Sequence, residues 1–363
     1  MIRDSAVTDG NAADGTSRTV SFFEFWPGWA FYTPIVVWWI LLGFRFRDMS
    51  LPTIANPHIP TGGLCGESKS DILAQAGQVA RQWIAPWTVM RTGRQDGTRA
   101  RAAMAEAGLS FPVVVKPDIG CNGTGVRLVQ ADGGLDEVLA SFPRDVDLVL
   151  QRLIPYEHEA GVFYIRHPQK PRGEISSLTI KLIPSLTGDG RSSVRELLHA
   201  DPRTGLLTRL YEPRLGDRLE TVPAKGEVVP LVFTGNHCKG AVFVNGEADI
   251  TPELAARIDS IMQDFPEFYF GRIDLKFRSP ETLRRGEEFE IIEINGVGAE
   301  ATHIWDARTT LREAWITQFR HYYEAFVIGA ENRRRGWKPT GVWHGVKLWQ
   351  NQKRLMRSYP LND

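Results

Sequence analysis

The chain has 363 residues, 42% of them hydrophobic, and its 43 basic side chains balance 43 acidic ones. This is the composition of a folded protein, long enough for two or three lobes around a substantial core. A formal net charge of zero argues against general nucleic-acid binding, which depends on neutralising phosphates. The cysteines indicate a reducing, cytoplasmic setting, because Cys65, Cys121 and Cys238 are widely separated and lack the CxxC spacing of a zinc site.

Two unlike segments open the chain. Residues 1–21 are polar and predict a disordered N-terminus, without the basic start and small-residue cleavage site of a secretory signal peptide. The apolar run from Phe25 to Phe44, FWPGWAFYTPIVVWWILLGF, is about as long as a bilayer core requires. We therefore predict that residues 22–47 form a membrane-associated segment.

The apolar run leaves its mode of attachment open. Pro27 and Pro34 interrupt it and tryptophans crowd it, which fits either a spanning segment or one that dips into the membrane and returns. Arg45 and Arg47 follow at once and predict that the downstream body lies on the cytoplasmic side. The alternative is a buried aromatic helix that covers the body or a dimer face.

The rest of the chain divides into a short N-terminal region, a body and a tail. Residues 48–110 are expected to pack on the body; 48–75 predict a loop, because Pro, Gly, Ser and Asn are frequent there, and helices follow over Ile72–Ile84 and Gly97–Ala107. Residues 111–330 alternate strands and helices, which predicts an α+β body rather than a strictly doubly wound sheet. The predicted strands are Val113–Lys116, Leu148–Leu153, Ser177–Ile183, Ala241–Val244, Phe270–Phe277 and Phe289–Asn295. The predicted helices are Leu135–Ser141, Ser193–Ala200, Pro252–Met262 and Thr310–Ile328.

The tail, residues 331–363, combines basic side chains with tryptophans, a pattern that suits an anionic membrane surface. The alternative is a solvated tail that packs its tryptophans on the body. The residues concerned are Arg333, Arg334, Arg335, Lys338, Lys347, Lys353, Arg354 and Arg357, with Trp337, Trp343 and Trp349.

Two segments near the end of the body, GRIDLK and FEIIEING, carry the strongest chemical signal. Side chains alternate between the faces of a strand, so Arg272 and Asp274 share one face, and Glu293 and Asn295 share one face. The opposite faces carry the apolar Ile273, Leu275, Ile292 and Ile294. If the strands are neighbours, two carboxylates and an amide oxygen meet beside an arginine, a set that suits Mg²⁺ and a transferring phosphoryl group. The alternative is two amphipathic strands with polar, solvent-facing sides.

A second signal is a glycine-rich loop after an apolar strand. The strand VVVKP contains Lys116, and the following loop holds Gly120, Gly123 and Gly125. Glycines let backbone amides approach a phosphate closely, and a lysine supplies a point charge for it. The Walker pattern GxxxxGK[ST] is absent from the sequence. The alternative is an ordinary hairpin turn, which the Asn122–Gly123 pair would serve well.

These motifs together resemble the ATP-grasp superfamily. VVVKP with its GxxGxGV loop, followed later by RID and EIN, is similar to the D-alanine–D-alanine ligase branch. The stretch from Lys181 to Leu198, KLIPSLTGDGRSSVRELL, resembles a segment of cyanophycin synthetases that belongs to the nucleotide-closing region. The resemblance covers roughly residues 110–330, with its motifs in the family's order. It implies an ATP-grasp fold, in which two α+β subdomains grip ATP.

The resemblance also implies roles for individual residues. Lys116 and Lys181 correspond to the lysines that contact the ATP phosphates, and Arg272 to the arginine that stabilises the phosphoryl group. The three loop glycines, Gly120, Gly123 and Gly125, correspond to a flexible lid. The magnesium ligands correspond to Asp274, Glu293 and Asn295.

The adenine and ribose contacts follow from the same resemblance. Relatives usually have glutamate near position 151, whereas this chain has Gln151, whose amide oxygen can still accept from the adenine amino group. The ribose-binding carboxylate is expected soon afterwards. Glu157 and Glu159 both qualify, and Glu159 is preferred.

The implied activity is that of an ATP- and Mg²⁺-dependent, ADP-forming carboxylate–amine ligase. The substrates would be small-molecule or lipid-linked, and the enzyme would work at the cytoplasmic face of the cell membrane. On the acceptor side the candidates are His237, Glu300 and His303; His237 could orient or deprotonate an amine, or both histidines could simply make structural bonds in loops. The alternatives are an ATP-grasp kinase that phosphorylates a hydroxyl, and a membrane-tethered nucleotide-binding protein without turnover. The sequence names neither substrate and leaves the oligomeric state open.

Overall fold

The computed structural model describes Ser21, Gly235 and residues 23–233 and 240–362. The mixed helix–strand architecture predicted from the sequence is confirmed. The strands are β1 (Trp87–Arg91), β2 (Val113–Pro117), β3 (Arg127–Val129), β4 (Asp147–Arg152), β5 (His158–Ile165), β6 (Glu174–Leu182), β7 (Ser185–Thr187), β8 (Val228–Pro230), β9 (Val242–Asn245), β10 (Phe270–Phe277) and β11 (Phe289–Asn295). The α-helices are α1 (Gly28–Phe46), α2 (Lys69–Ala74), α3 (Gln78–Arg81), α4 (Asp96–Glu106), α5 (Leu135–Ala140), α6 (Val194–Ala200), α7 (Thr208–Leu215), α8 (Pro252–Gln263), α9 (Pro280–Arg284), α10 (Leu311–Arg334) and α11 (Val342–Met356).

The first sheet has four strands in the order β1-β4-β2-β3, and all neighbouring pairs are antiparallel. Val113 and Val115 lie at alternate positions of β2 and share one apolar core with Met104 of α4 and Leu135 of α5. The edge strand β1 and the helix α4 both come from the region before residue 110. Strand β1 and helix α4, before the predicted boundary at residue 110, therefore share a sheet and an apolar core with β2 and α5, after it.

The second sheet has five antiparallel strands in the order β11-β10-β5-β6-β9. One face is apolar because Ile273 and Leu275 of β10 pack with Ile258 and Ile261 of the amphipathic helix α8. That helix begins where the Thr251 side chain accepts a hydrogen bond from the Leu254 N–H, a standard N-cap. The polar face of the sheet is left free to line a cleft.

A small third unit contains the β7–β8 pair, α6 and α7. Its core is formed by Leu186, Leu198 and Tyr211 with their neighbours. Helix α6 begins in a capping box between Ser193 and Glu196, which the SSVREL sequence encodes directly. The segment Lys181–Leu198 thus contributes β7 and most of α6 to a unit with its own apolar core.

The apolar helix α1 packs along α10 on one side and is exposed on the other. Phe31, Ile35 and Leu42 are buried, and the Trp38 indole donates to the Phe319 carbonyl at 2.9 Å. Pro34 lies inside the helix without ending it, so the predicted interruption there is wrong. The helix is long and apolar enough to cross a membrane. Of its most apolar stretch, 22% is buried against the rest of the protein. Its exposed stripe includes Trp29 (75% exposed), Val37 (51%), Leu41 (54%) and Phe44 (70%).

Residues 48–75 are predicted as a loop, but within them Leu51–Ile54 and Pro60–Gly63 form two short 3-10 turns that are largely buried. The anchor is Asn56, which is 1% exposed. Its amide nitrogen donates to the carbonyls of Gly62 (3.0 Å) and Phe270 (2.7 Å), and its oxygen accepts from the N–H groups of Tyr269 and Phe270. One side chain therefore satisfies four backbone groups and fixes this segment to the start of β10.

Four glycines join the same segment to the chain just after β11. Gly63 has φ +77°, and a Cβ atom there would lie 2.6 Å from Cα of Gly296. The N–H of Val297 donates to the Gly62 carbonyl at 3.1 Å, and the N–H of Gly298 donates to the Gly63 carbonyl at 2.7 Å. The two backbones approach this closely because neither carries a side chain at the point of contact.

One predicted helix differs from the structure. The helix predicted over Ile72–Ile84 is two short helices, α2 and α3, which Gly77 separates; a Cβ at Gly77 would collide with Asp264, whose carboxylate accepts from the Ala80 N–H at 2.9 Å. The tail, for which no helix is predicted, contains the 15-residue helix α11, and Leu355 and Tyr359 pack against the core of the first sheet.

Candidate functional site

A cleft of about 560 Å³ lies between the two larger sheets. The first sheet contributes Val114, Lys116 and Gln151, and the polar face of the second contributes side chains from β5, β6, β10 and β11. The predicted site residues that line it are Lys116, Gly123, Gln151, Glu159, Lys181, Arg272, Asp274, Glu293, Asn295 and Glu300. Most of the residues predicted separately from scattered motifs thus meet in one place.

Strands β10 and β11 bring the proposed metal ligands together as the alternation predicts. Arg272 lies directly opposite Asn295, and Asp274 directly opposite Glu293. The Asn295 amide donates to Asp274 Oδ2 at 3.2 Å. The two carboxylates and the amide oxygen suit Mg²⁺ in kind and number.

Asp274 is the centre of a buried charge network. Arg272 Nε donates to Asp274 Oδ1 at 2.9 Å, and Lys181 Nζ lies 2.9 Å from the same oxygen and 2.8 Å from Glu159 Oε1. Burial opposes ionisation of Asp274, but Arg272 and Lys181 hold the pKa of its carboxyl well below the ordinary value. Burial also disfavours the charged form of Lys181, yet Asp274 and Glu159 raise the pKa of its ammonium group.

Lys116 lies on the other wall and is nearly buried, with 6% exposure. Its Nζ donates to Gln151 Oε1 and to the Ile292 carbonyl, both at 2.8 Å. Burial lowers the pKa of Lys116 to about 8; the nearby Lys69 acts in the same direction, whereas Glu293 opposes it. Lys116 is therefore a desolvated cation that a phosphate would stabilise.

Lys69 is a cation behind this wall that no sequence motif predicts. Its Nζ lies 3.7 Å from Glu293 Oε1 and donates to the Gly120 carbonyl at 2.8 Å. It thereby connects a proposed metal ligand to the glycine-rich loop. No local motif marks it, since it lies at the start of α2 within a segment predicted as a loop.

The glycine-rich loop joins β2 to β3 as a turn, and its three glycines have different surroundings. Gly123, with φ +65°, lines the cleft together with Cys121 and Asn122. Gly125 has φ +73° and packs away from it, because a Cβ there would lie 2.8 Å from Pro117 Cγ. A Cβ at Gly120 would make ordinary contacts with Tyr359 and Pro117.

An apolar end of the cleft is formed by Val114, Ile154 and Ile292. Strand alternation predicts Ile292 on the apolar core face, and this prediction is wrong. A bulge between Asp274 and Leu275 in the β10–β11 pairing places Leu275 opposite Ile291, which leaves Ile292 in the cleft beside Glu293.

The two carboxylates considered for ribose binding occupy different environments. Glu159 is buried, lines the cleft and pairs with Lys181, whereas Glu157 is exposed. Gly235 lies over Glu159, since a Cβ at Gly235 would be 2.7 Å from Glu159 Oε1. The side chain of Gln151 donates to the Ala85 carbonyl at 3.3 Å as well as accepting from Lys116.

The opposite end of the cleft contains a carboxylate with aromatic neighbours. Glu300 Oε1 accepts from the Tyr32 hydroxyl and from Gln318 Nε2, each at 2.7 Å, and Arg272 donates to the Glu300 carbonyl at 3.3 Å. Trp305 also lines this end. Tyr32 comes from α1, so the apolar N-terminal helix contributes directly to the cleft.

Of the two histidines proposed for the acceptor side, only His303 can be compared with Glu300. His237 lies outside the described residues. His303 is in the turn after Glu300, half-buried outside the cleft lining, and burial lowers the pKa of its imidazole.

No family model matches the sequence, and no curated protein matches it. Among solved structures, the chain is similar to a bifunctional glutathione synthetase from Pasteurella multocida (16% identity, TM-score 0.37, covering 73% of this chain and 38% of that one). It is also similar to VanG D-Ala:D-Ser ligase from Enterococcus faecalis (12% identity, TM-score 0.43, covering 75% of this chain and 64% of that one). A third similar structure is the D-alanine–D-alanine ligase from Coxiella burnetii (10% identity, TM-score 0.42, covering 82% of this chain and 64% of that one). These structural neighbours are ATP-grasp ligases. The chain spans less than two thirds of each, and at these TM-scores the functional assignment rests on the cleft itself.

Proposed function

We propose that the protein is a carboxylate–amine ligase that uses ATP and Mg²⁺, forms an acyl phosphate and ADP, and passes the acyl group to an amine. The observation that carries the proposal is that three cations meet the two carboxylates proposed to bind the metal, Asp274 and Glu293, across one cleft. Lys116 comes from one sheet, and Lys181 and Arg272 from the other. Such a cleft suits a polyanion that arrives with a divalent cation.

The cleft can hold each part of ATP. The apolar side chains of Val114, Ile154 and Ile292 offer surfaces for the adenine ring, and the Gln151 oxygen can accept from its amino group. Lys116 and Lys181 would neutralise the phosphates, and Glu159 is near enough to the same region to take a ribose hydroxyl. Backbone amides around Gly123 are available to phosphate oxygens, and closure of this loop would keep water from the acyl phosphate.

Asp274, Glu293 and Asn295 would hold Mg²⁺, which neutralises charge on the β- and γ-phosphates. Arg272, fixed by its double hydrogen bond to Asp274, would stabilise the γ-phosphoryl group while the substrate carboxylate oxygen attacks phosphorus. The P–O bond to ADP breaks, and an amine then displaces phosphate from the acyl carbon. Glu300, held by Tyr32 and Gln318, is suited to bind that amine as its ammonium form and to take one proton from it, so that the neutral amine attacks the acyl carbon and phosphate leaves.

The test is ADP release from purified protein with Mg²⁺ and ATP, screened against amino acids, hydroxy acids and lipid head groups. Mass analysis of the product follows. An amide product with stoichiometric ADP and phosphate supports the ligase. A phosphorylated hydroxyl would instead make the protein a kinase, and tight nucleotide binding without turnover would make it a nucleotide-binding protein.

We also propose that the enzyme works at the cytoplasmic face of the cell membrane, on a substrate that is lipid-linked or anionic. The support is the exposed apolar stripe of α1 beside the exposed Arg45 and Arg47, because a continuous apolar surface flanked by cations suits an anionic bilayer. Since α1 packs along α10, the helix would lie in the membrane surface and not across the bilayer. Tyr32 on its inner side would then bring the acceptor end of the cleft close to lipid.

Vesicle binding distinguishes this proposal from an apolar cover or a dimer face. The triple variant Val37→Gln, Leu41→Gln, Phe44→Gln should lose sedimentation with phosphatidylglycerol-containing vesicles. A matched control changes exposed apolar residues elsewhere to Gln: Leu206 (66% exposed), Val222 (54%) and Val228 (63%). The membrane proposal fails if the wild type stays in the supernatant, or if both triple variants bind vesicles as the wild type does. Loss of a dimer in the first variant alone would identify a dimer face.

A further inference from the structure

The last part of the tail, residues 342–362, packs against the side of the cleft that contains the glycine-rich loop. Helix α11 lies so close to Gly66 that a Cβ there would be 3.2 Å from Leu348 Cβ, and Gly66 has φ +71°. The Gly66 N–H donates to Gln352 Oε1 at 3.2 Å. Trp349 and Gln352 both line the cleft, together with residues of the glycine-rich loop. The tail is therefore part of the wall that surrounds the proposed nucleotide.

The same segment holds the glycine-rich loop directly. The Tyr359 hydroxyl donates to the Ile119 carbonyl at 3.0 Å, and Cys121 Sγ lies 3.5 Å from Met356 Sδ. A Cβ at Gly125 would lie 3.2 Å from Tyr359 Cβ, so the loop and the tail are in tight contact. Tyr359 is in turn anchored by packing on the core of the first sheet.

The end of the tail also reaches the small third unit. Asn362 is 4% exposed, and its Oδ1 accepts from Arg214 of α7 at 3.3 Å. One continuous segment thus contacts the N-terminal region at Gly66, the glycine-rich loop and α7. These are three separate parts of the chain, so the tail can couple their positions.

We propose that residues 342–362 complete the nucleotide-binding site: Trp349 contacts the bound nucleoside triphosphate, and Tyr359 acts as a positioning residue that holds the glycine-rich loop over it. This inference rests on the proposed function, because it requires that the cleft bind ATP. The half-exposed Trp349 indole, at 47%, has apolar surface that a bound nucleotide would cover. When the tail already holds the loop in place, less conformational entropy is lost on binding. The nucleotide is then bound more tightly and released more slowly.

The test uses the full-length protein and measures Mg–ADP affinity by calorimetry and release by stopped flow. Trp349→Ala should weaken binding by roughly tenfold, since an aromatic contact of this kind contributes on the order of 1.4 kcal/mol. Tyr359→Phe removes one hydroxyl and should speed release by roughly three- to tenfold, with faster amide hydrogen exchange over residues 119–126. Trp343→Ala, on the same helix but 82% exposed, should behave as the wild type.

The role of the tail and nucleotide binding by the cleft can fail separately. If the wild type binds Mg–ADP and Trp349→Ala and Tyr359→Phe bind and release it unchanged, the role of the tail is refuted while the ligase proposal stands. If the wild type binds no nucleotide, the proposed function itself fails. Matching melting temperatures for the variants show that the effects do not come from unfolding.

Discussion

Lys181 Nζ and Asp274 Oδ1 lie 2.9 Å apart, so the lysine proposed for phosphate and the carboxylate proposed for magnesium are each other's counterions. Arg272 and Glu159 complete the pairing on either side. A nucleotide bound without a cation would add negative charge to a network that is already balanced. A nucleotide that brings its own cation can exchange partners with Lys181 and Asp274, and this favours joint binding of metal and ATP.

Glu293 is the proposed metal ligand that can be tested most cleanly. Glu293→Gln keeps the size of the side chain but removes its charge, and we expect ADP formation to be abolished while the melting temperature and circular dichroism spectrum are retained. Glu288→Gln is the control, because Glu288 is 39% exposed in its pair with Arg278. Normal turnover by Glu293→Gln with its acceptor would rule out the assignment.

Lys116 should determine nucleotide affinity. A charge-assisted contact between its ammonium group and phosphate contributes on the order of 1.5–3 kcal/mol. Lys116→Ala should therefore weaken ATP binding by roughly ten- to a hundredfold, measured by calorimetry. Lys170→Ala, an exposed lysine in a distant turn, is the matched control. Unchanged affinity in Lys116→Ala would contradict the phosphate role.

The same lysine should make nucleotide affinity depend on pH. The pKa of Lys116 is lowered to about 8, so the group is charged below that pH and loses its proton above it. Phosphate binds the charged form; the dissociation constant should be flat below about pH 8 and then rise by at most about tenfold per pH unit. In Lys116→Arg the guanidinium stays charged, and this rise should disappear. An identical rise in both proteins would assign it to another group.

Tyr32 should affect the acceptor and spare the nucleotide. Tyr32→Phe deletes the hydroxyl that donates to Glu300 at 2.7 Å. We expect the KM for the amine to rise by roughly three- to tenfold with ATP affinity unchanged, since one hydrogen bond to a carboxylate is lost. Tyr323→Phe, on the exposed side of α10, controls for general effects of losing a tyrosine hydroxyl. If only the affinity for ATP changes in Tyr32→Phe, Tyr32 acts at the nucleotide end of the cleft and the predicted role at the acceptor end is wrong.

Asn56 is predicted to be a stability residue. Asn56→Ala leaves four buried backbone groups without their partner, and we expect the free energy of unfolding to fall by about 3 kcal/mol. Urea unfolding of this variant measures the loss. The exposed Gln82, changed to Ala, should stay within about 0.5 kcal/mol of wild type. Equal stability of the two variants would mean that water replaces the Asn56 contacts.

The polar face of β10 and β11 could be predicted from the sequence, because the alternation of side chains along a strand depends only on neighbouring residues. The bounds of β10 and β11 match the prediction, and Arg272, Asp274, Glu293 and Asn295 share the cleft as parity requires. The bulge that moves Ile292 into the cleft was not predictable, since it depends on how the two strands pair and leaves no mark in either strand alone.

The rest of the cleft depends on contacts between distant parts of the chain. Tyr32, Lys69 and Trp349 reach the region from helices that the body motifs do not include. The strands β1, β3, β5, β7 and β8 also went unpredicted; β3, β7 and β8 have three residues each, too few for an alternation to stand out. Local patterns located the chemistry, whereas tertiary packing decides which other residues surround it.

The contact between Gly63 and Gly296 has a consequence for how this protein can change over time. A methyl group at either position would push residues 62–64 away from the end of β11, and neither substitution alone leaves room for the other backbone. A second methyl group would add to the first collision, so a substitution at one position cannot be rescued by one at the other. A library that varies both positions together should therefore return folded proteins only with glycine at both.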